Sequence, residues 1–391
     1  MDNRIDQLLE VVKYGLNQKA YHEPIIDDRV FYVMAVENGL CGIVYSALDQ
    51  KVVSKQLHQK LEHSFYGYVS RDAKQIKAIE EIDQILNENK IDHIFLKGSK
   101  LKKLYPESYM RAMGDIDLLI KDHDLEKTHQ VLKEHQIKNI SRSRQHDIFE
   151  FPNKIIFEVH PILYKAFNDK YSNLFENPWE YSIKVHQHLY KFTHEFEMAY
   201  LTYHLAKHMD SSGIGIRSIL DLGIYLNAYE KDIDEALLDQ YLEQSNMKLF
   251  YKSMIELNRR YFDFNYNYSL HQQQVLDENT FREMTLYLIQ SGIHGTGKDF
   301  NAFTSRIAST ELRQQSKIKF IFRLFFPNYE SMLGMYPFIH KAKILIVFAW
   351  GMRLVKLLFK KTKTSFQKLF KLSVNKTDVE ERKKLFQKIG L

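Results

Sequence analysis

Asp115 and Asp117 bracket Ile116 and lead into Leu118-Leu119-Ile120, so two acids sit one residue apart in what reads as a buried strand. Alternation along an extended chain puts both on one face, about 6.7 Å apart. If their carboxylates converge to about 5 Å at an effective dielectric near 20, they repel by about 3 kcal/mol, and packing alone does not reward that. Two oxygen ligands so placed suit Mg²⁺ held against substrate phosphates. Glu158 is a third acid in an apolar strand, Ile155-Ile156-Phe157-Glu158-Val159-His160, and points away from Phe157 and Val159. If that strand neighbours Asp115–Ile120, three carboxylates meet at a pair of metals, the clamp used for in-line displacement at phosphorus.

Lys97-Gly98-Ser99 marks a strand turning into a helix. Glycine lets a backbone approach a phosphate, and the free amides of a helix start supply donors. Arg111, four residues before the first Asp, is placed to pair with a phosphate or to orient the acids, since its planar fork suits either role. Lys97 and Arg111 also admit the plain reading of surface cations, and Glu158 that of an acid paired with a core Lys or His.

The elements that carry these residues follow from periodicity. Residues 1–90 read as helices, including the long stretch from Lys55 to Lys90. His93–Gly98 is a short strand, Ser99–Tyr105 a helical turn, and Asp115–Ile120 the next strand. His123–Gln136 is a helix, and the segments around Phe149 and Phe157 form a hairpin about Pro152-Asn153. From about residue 190 the chain reads helical again. The expected order is helical, then α/β, then helical.

A length of 391 residues exceeds one ordinary core, so two or three domains are expected. An apolar fraction of 45% with 27% charged residues excludes a disordered chain. Cys41, the single cysteine, rules out an intrachain disulfide and a cysteine-built zinc site, and with no secretory signal at the start the cytoplasm is the expected compartment. Of the net charge of +6, residues 351–391 carry 12 Lys+Arg against 3 Asp+Glu, which leaves the body slightly acidic. No specific nucleic-acid partner is therefore expected of the body.

Gly98-Ser99 followed by Asp115-Ile116-Asp117 resembles the signature of the polymerase β-type nucleotidyltransferase superfamily. The wider pattern, through Phe157-Glu158-Val159-His160-Pro161 and Tyr200–Leu226, is similar to its uncharacterised bacterial nucleotidyltransferase family, found with exopolysaccharide and peptide-modification gene clusters. The resemblance spans roughly residues 90–355. It implies an α+β fold, a small mixed β-sheet wrapped by N- and C-terminal helical regions. The expected divisions are 1–90 (helical), 91–185 (nucleotidyltransferase core), 186–340 (helical) and 341–391 (amphipathic basic tail). It further implies Asp115, Asp117 and Glu158 as metal ligands, with two Mg²⁺, and Gly98 and Ser99 as the phosphate turn. Lys207, His208, Arg217 and Asp221, from two consecutive helices, would line the nucleotide or acceptor cleft. The reaction implied is transfer of a nucleoside monophosphate from an NTP, ATP above others, to a sugar, lipid-linked sugar, peptide or protein acceptor. The alternatives are a nucleotide-binding regulator or a kinase-like transfer of the γ-phosphate. Two departures stand out: fifteen residues separate Ser99 from Asp115, implying an extra loop over the site, and the third acid is Glu rather than the commoner Asp.

Three other signals carry less. His204 and His208 have i,i+4 metal-ligand spacing but lack the Glu of a metalloprotease motif. Gly292–Asp299 misses a P-loop because Asp299 stands where Ser or Thr must contact Mg²⁺. Ile344–Met352 is too short to span a bilayer, which needs about 20 apolar residues. It continues through Leu354, Leu357 and Leu358, bordered by Arg353, Lys356, Lys360 and Lys361, in the pattern of an interfacial helix beside a membrane. The plain reading is a core helix followed by solvated lysines.

Overall fold

The computed structural model describes residues 2–391 apart from 144–145, 164–172, 296, 298–299, 313–321, 323–325, 328, 330–331, 333–335 and 360–375. Helices α1 (Asn3–Leu16), α2 (Asp28–Glu37), α3 (Cys41–Ala47) and α4 (Lys55–Glu88) precede the sheet. Ser54 starts α4, its hydroxyl accepting from Leu57 N at 3.1 Å, so one free amide of the first turn is satisfied.

Among the described residues seven strands follow: β1 (His93–Leu96), β2 (Ile116–Ile120), β3 (Lys138–Ser141), β4 (Asp147–Glu150), β5 (Ile156–His160), β6 (Ser182–His186) and β7 (Leu189–Phe192). They lie in the order β3-β4-β5-β2-β1-β7-β6. β2 runs antiparallel to β1 and parallel to β5, with Asp117 opposite both Leu96 and Glu158. β1 and β2 are buried on both faces, which is why they read as unbroken apolar runs. On one face Phe95, Ile116, Leu118, Phe157 and Val159 pack with Ile82, Ile85 and Leu86 of α4 and with Val131 and Leu132 of α6 (Leu125–Glu134). On the other, Ile94, Leu96 and Leu119 join the larger core. Asp117 and Glu158 share that second face, because their strand neighbours occupy the first.

The larger core is helical: α7 (His194–Ser211), α8 (Ile216–Tyr229), α9 (Glu235–Gln244), α10 (Lys248–Phe262) and α12 (Glu278–Ser291) surround Phe196, Leu220, Phe250 and Leu288. No side chain of its own caps α8. Buried Asn38, between α2 and α3, instead accepts from Ile216 N at 3.2 Å and donates to Ile289 O at 3.2 Å, pinning α8 to α12.

Three sequence expectations change. The sheet is wider than expected: β3 is an added edge, and β6 and β7 straddle the boundary at residue 185, so the sheet reaches Phe192. β3 and β6 lie exposed at the two edges: Lys138–Ser141 lacks the apolar alternation that a half-buried strand displays, while Ser182–His186 alternates but leaves its apolar Ile183 and Val185 exposed. The basic tail is not one unit. Its last helix, Lys376–Lys388, buries Val379, Leu385 and Phe386, and Ile389 and Leu391 enter the main core. Nor is Ile344–Met352 a core helix: Ile344, Val347 and Phe348 are exposed, while Ala349 alone among the described side chains of helix Ile346–Phe359 is fully buried, against Met332 and Ile339. The side chains of Lys356, Leu357 and Leu358, with Lys360 and Lys361, lie outside the described residues. Gly292 ends α12 rather than a strand, and Lys298 and Asp299 of the P-loop near miss also lie outside them.

Candidate active site

The second face of the sheet and the helices α7 and α8 enclose a cavity of about 690 Å³. Asp117, the second residue of β2, and Glu158, at the centre of β5, reach it from adjacent strands in register. Asp115 sits in the bend just before β2, not within the strand, and also lines the cavity. The three acids are close enough to perturb one another. Burial, then the charges of Asp117 and Glu158, push the Asp115 carboxyl up to about 6.

Asp117 behaves in the opposite way. Burial opposes its ionisation, but Lys97 and His160 overcome that and hold the carboxyl well below the usual range. Lys97 Nζ donates to Asp117 Oδ1 at 2.9 Å, and His160 Nε2 lies 3.0 Å from the same oxygen. Lys97 reaches this position through a backbone φ of +47°, which non-glycine residues rarely adopt and which costs about 1–3 kcal/mol. The kink turns the chain from β1 directly into the short helix α5 (Gly98–Leu101) while the ammonium folds back over β2. Against burial, its neighbours Asp117 and Tyr200 keep the Lys97 ammonium protonated.

His160 extends the acid cluster. Its Nε2 stands 3.5 Å from Glu158 Oε2, and His146 Nε2 stands 3.6 Å from Glu158 Oε1. Burial works against a charge on His160, but Asp117 and Glu158 raise its affinity for a proton above the ordinary value. His146 goes the other way, lowered by burial. Ligand atoms of His146, Glu158 and His160 lie within 4.8 Å of one another, the one such metal-compatible group among the described residues. Sequence reasoning named neither histidine as a site residue. His160 carried a signal, two residues after Glu158 and hence on its face. His146 carried none, because only the β4–β5 register, Ile148 opposite Glu158, brings it there.

Gly98 lines the cavity, and a Cβ there would overlap the Arg111 guanidinium and lie 2.7 Å from Met113 Sδ. Glycine is required here for Arg111 to lie across the turn. Ser99 is buried behind the cavity wall and does not line it, and its hydroxyl has no partner among the described residues. The added loop between Ser99 and Asp115 is braced from both sides: buried Lys102 pairs with Asp72 of α4 at 2.5 Å, and Tyr105 donates to Asp221 of α8 at 2.8 Å. Arg111 forks onto Asp221, with Nε at 3.2 Å and Nη2 at 2.8 Å. Lys207, His208, Arg217 and Asp221 all line the cavity. Asp221 is thus a brace for Arg111, while Arg217 donates through Nη1 to Ala112 O at 2.6 Å. His204 and His208, the i,i+4 pair, face each other with Nε2 atoms 3.0 Å apart.

The model of a family described as "Uncharacterised nucleotidyltransferase" matches residues 25–263, more than half the chain and a span that contains every residue from Lys97 to Asp221. No curated protein matches the chain. Among solved structures, the solution structure of the antibiotic-resistance factor ANT(2'')-Ia is similar at 12% identity and a TM-score of 0.34, covering 44% of this chain and 94% of its own.

Proposed function

The chain belongs to the uncharacterised nucleotidyltransferase family, and from that membership we propose that it moves a nucleoside monophosphate from Mg²⁺·NTP, ATP above others, to an acceptor hydroxyl or phosphate. The observation that carries this reading is the pairing of Asp117 with Glu158 across β2 and β5, with Asp115 beside them, on the wall of one large cavity. These residues fit a divalent cation. Half-buried Asp115, pushed up to about 6 by burial and then by the charges of Asp117 and Glu158, belongs to a set short of positive charge, and carboxylate oxygens are the donors Mg²⁺ prefers. Asp115, Asp117 and Glu158 would hold the ions, which when bound supply neutralisation of the charge on the triphosphate and departing pyrophosphate.

The protein's own groups do the rest by position. Lys97 and His160 hold Asp117 ionised and fixed, so its oxygens need no reorganisation on binding. Glu158 takes the proton of the attacking acceptor oxygen, and His146, 3.6 Å from Oε1 and kept neutral by burial, passes it outward. Gly98, lacking a Cβ, leaves room at the turn for the Arg111 guanidinium that would meet the phosphates. Holding nucleotide and acceptor side by side in the cavity supplies most of the remaining acceleration. Incubation with α-labelled and γ-labelled ATP and Mg²⁺ tests the reading. The α label should reach the acceptor; transfer of the γ label alone would replace nucleotidyl transfer with phosphoryl transfer.

The acceptor's setting has a separate support. Ile344, Val347, Phe348, Met352 and Val355 form an exposed apolar stripe on and just before helix Ile346–Phe359, in a segment of the chain rich in lysine and arginine. No helix among the described residues is long and apolar enough to cross a membrane. We take the stripe as a peripheral contact with an anionic membrane face, where lipid-linked acceptors would lie.

A further inference from the structure

Arg217, in the first turn of α8, is 7% exposed and lines the cavity. One of its nitrogens is satisfied, Nη1 on Ala112 O at 2.6 Å; Nε is buried with no hydrogen-bond partner among the described residues. Beside it Arg111 is also buried, and its fork is spent on Asp221. Two guanidiniums therefore share one carboxylate. The other groups around them do not correct the balance: Lys102 has its own acid in Asp72, and Tyr105 donates a hydrogen bond to Asp221 rather than contributing a charge. Burial first, and Arg111 next, bring Arg217 down to about 10, the response of a cation lacking a counter-ion. A charge withdrawn from water without a partner is costly, and an anionic ligand in the adjoining cavity removes that cost.

We propose that Arg217 and Arg111 form an oxyanion-binding subsite at the turn side of the cavity that takes the terminal phosphate of the nucleoside triphosphate. This rests on the nucleotidyltransferase reading above. Position selects the nucleotide's phosphate over an anionic acceptor. The Arg111 guanidinium lies across Gly98, where a Cβ would collide with it, and it feels the charge of Asp117. The pair thus adjoins both the turn and the metal-binding acids, where a triphosphate tail must run if its α-phosphate is to meet the acids. Arg111 Nη1, with only a 3.5 Å approach to Ala112 O, and Arg217 Nη2, which no hydrogen bond among the described residues holds, are the donors left for it. A planar fork suits a phosphate in a way an ammonium does not. Asp221 is in this view a positioning residue that holds Arg111 flat against the turn.

Calorimetric titration of the full chain with ATP, AMP and inorganic tripolyphosphate, all with Mg²⁺, tests this in wild type, Arg217→Lys and Arg217→Gln. Charge-assisted hydrogen bonds of ordinary strength predict about 10- to 100-fold weaker ATP and tripolyphosphate binding in Arg217→Gln. Arg217→Lys should lie between, and AMP affinity should stay within about twofold of wild type throughout, as expected when only the terminal phosphate contact is lost. If Arg217→Gln fails to fold, the Arg217→Lys comparison alone decides. Unchanged tripolyphosphate and ATP affinity overturns the subsite and leaves the nucleotidyltransferase reading standing. Unchanged ATP affinity with slower transfer to an acceptor also overturns it, in favour of an anionic acceptor. Wild type that binds tripolyphosphate through Arg217 but not ATP keeps the anion subsite and removes the nucleotide.

Discussion

Asp115 and Asp117 differ in sign, and their substitutions should too. The Asp115 carboxyl is raised from 3.8 to about 6 in the metal-free fold. The folded state therefore binds the proton more tightly than the unfolded one between about pH 4 and pH 6. Stability falls as pH rises through that window, and the loss is complete above it, about 3 kcal/mol at most. Asp115→Asn should accordingly raise metal-free stability at pH 7–8, with the gain fading by pH 4, as urea titrations at several pH values would read. Asp117→Asn should do the reverse, costing about 3 kcal/mol at pH 7 because Lys97 is left as a buried cation without its partner. Equal effects from the two variants would mean the acids share one environment. From the sequence alone the pair looks symmetrical, two repelling acids on one strand face, so removal of both should be neutral or better. The structure separates them, because Lys97 and His160 both converge on Asp117. Glu158→Gln should lower turnover far more than NTP affinity, the pattern of a group that acts mainly in the transition state. Wild-type turnover in that variant would return Glu158 to a structural role.

At the scale of elements, the site depends on how α8 is held against the sheet. Asn38 joins the start of α8 to the end of α12 without belonging to either. Asn38→Ala leaves Ile216 N and Ile289 O without that partner in a buried place, and should cost about 2 kcal/mol. Because Arg217 and Asp221 ride on α8, the same variant should also weaken ATP binding while Asp115 and Asp117 remain in place. Denaturation with calorimetry on one preparation checks both. A stability loss with ATP affinity intact would show that α8 keeps its position without the tether. The buried elements were legible. β1, β2, β4, β5 and α6 declare themselves by apolar periodicity because their environment is one-sided or fully buried. Edge strand β3 is wet and leaves no such pattern, and β6 alternates only over five residues, with its apolar Ile183 and Val185 exposed.

At the scale of the whole molecule, Val347 and Phe348 give helix Ile346–Phe359 an exposed apolar stripe. If it rests on lipid, full-length protein should sediment with anionic vesicles, less so with neutral ones, and release at high salt. Val347→Ser with Phe348→Ser should stay in the supernatant. Both side chains are more than half exposed, so the fold should tolerate the change. Sedimentation equal to wild type would remove the membrane from the account. Removing the tail is a poorer test, since Phe386, Ile389 and Leu391 belong to the main core and their loss would damage the body.

The sequence by itself determined the chemistry on offer. Asp115, Asp117 and Glu158, the turn at Gly98 and the α+β alternation could be read because each is a local pattern: strand parity, a strand-to-helix turn, apolar period. Tertiary structure alone decided which groups stand opposite one another. His146 reaches Glu158 only through the register of β4 on β5, and Lys97 reaches Asp117 only through its kinked backbone. Arg111 is held by an acid 110 residues further along the chain. Such pairings depend on packing between distant segments, and no spacing in the chain encodes them. For the same reason, which of two neighbouring acids holds a proton more tightly is a property of the assembled site.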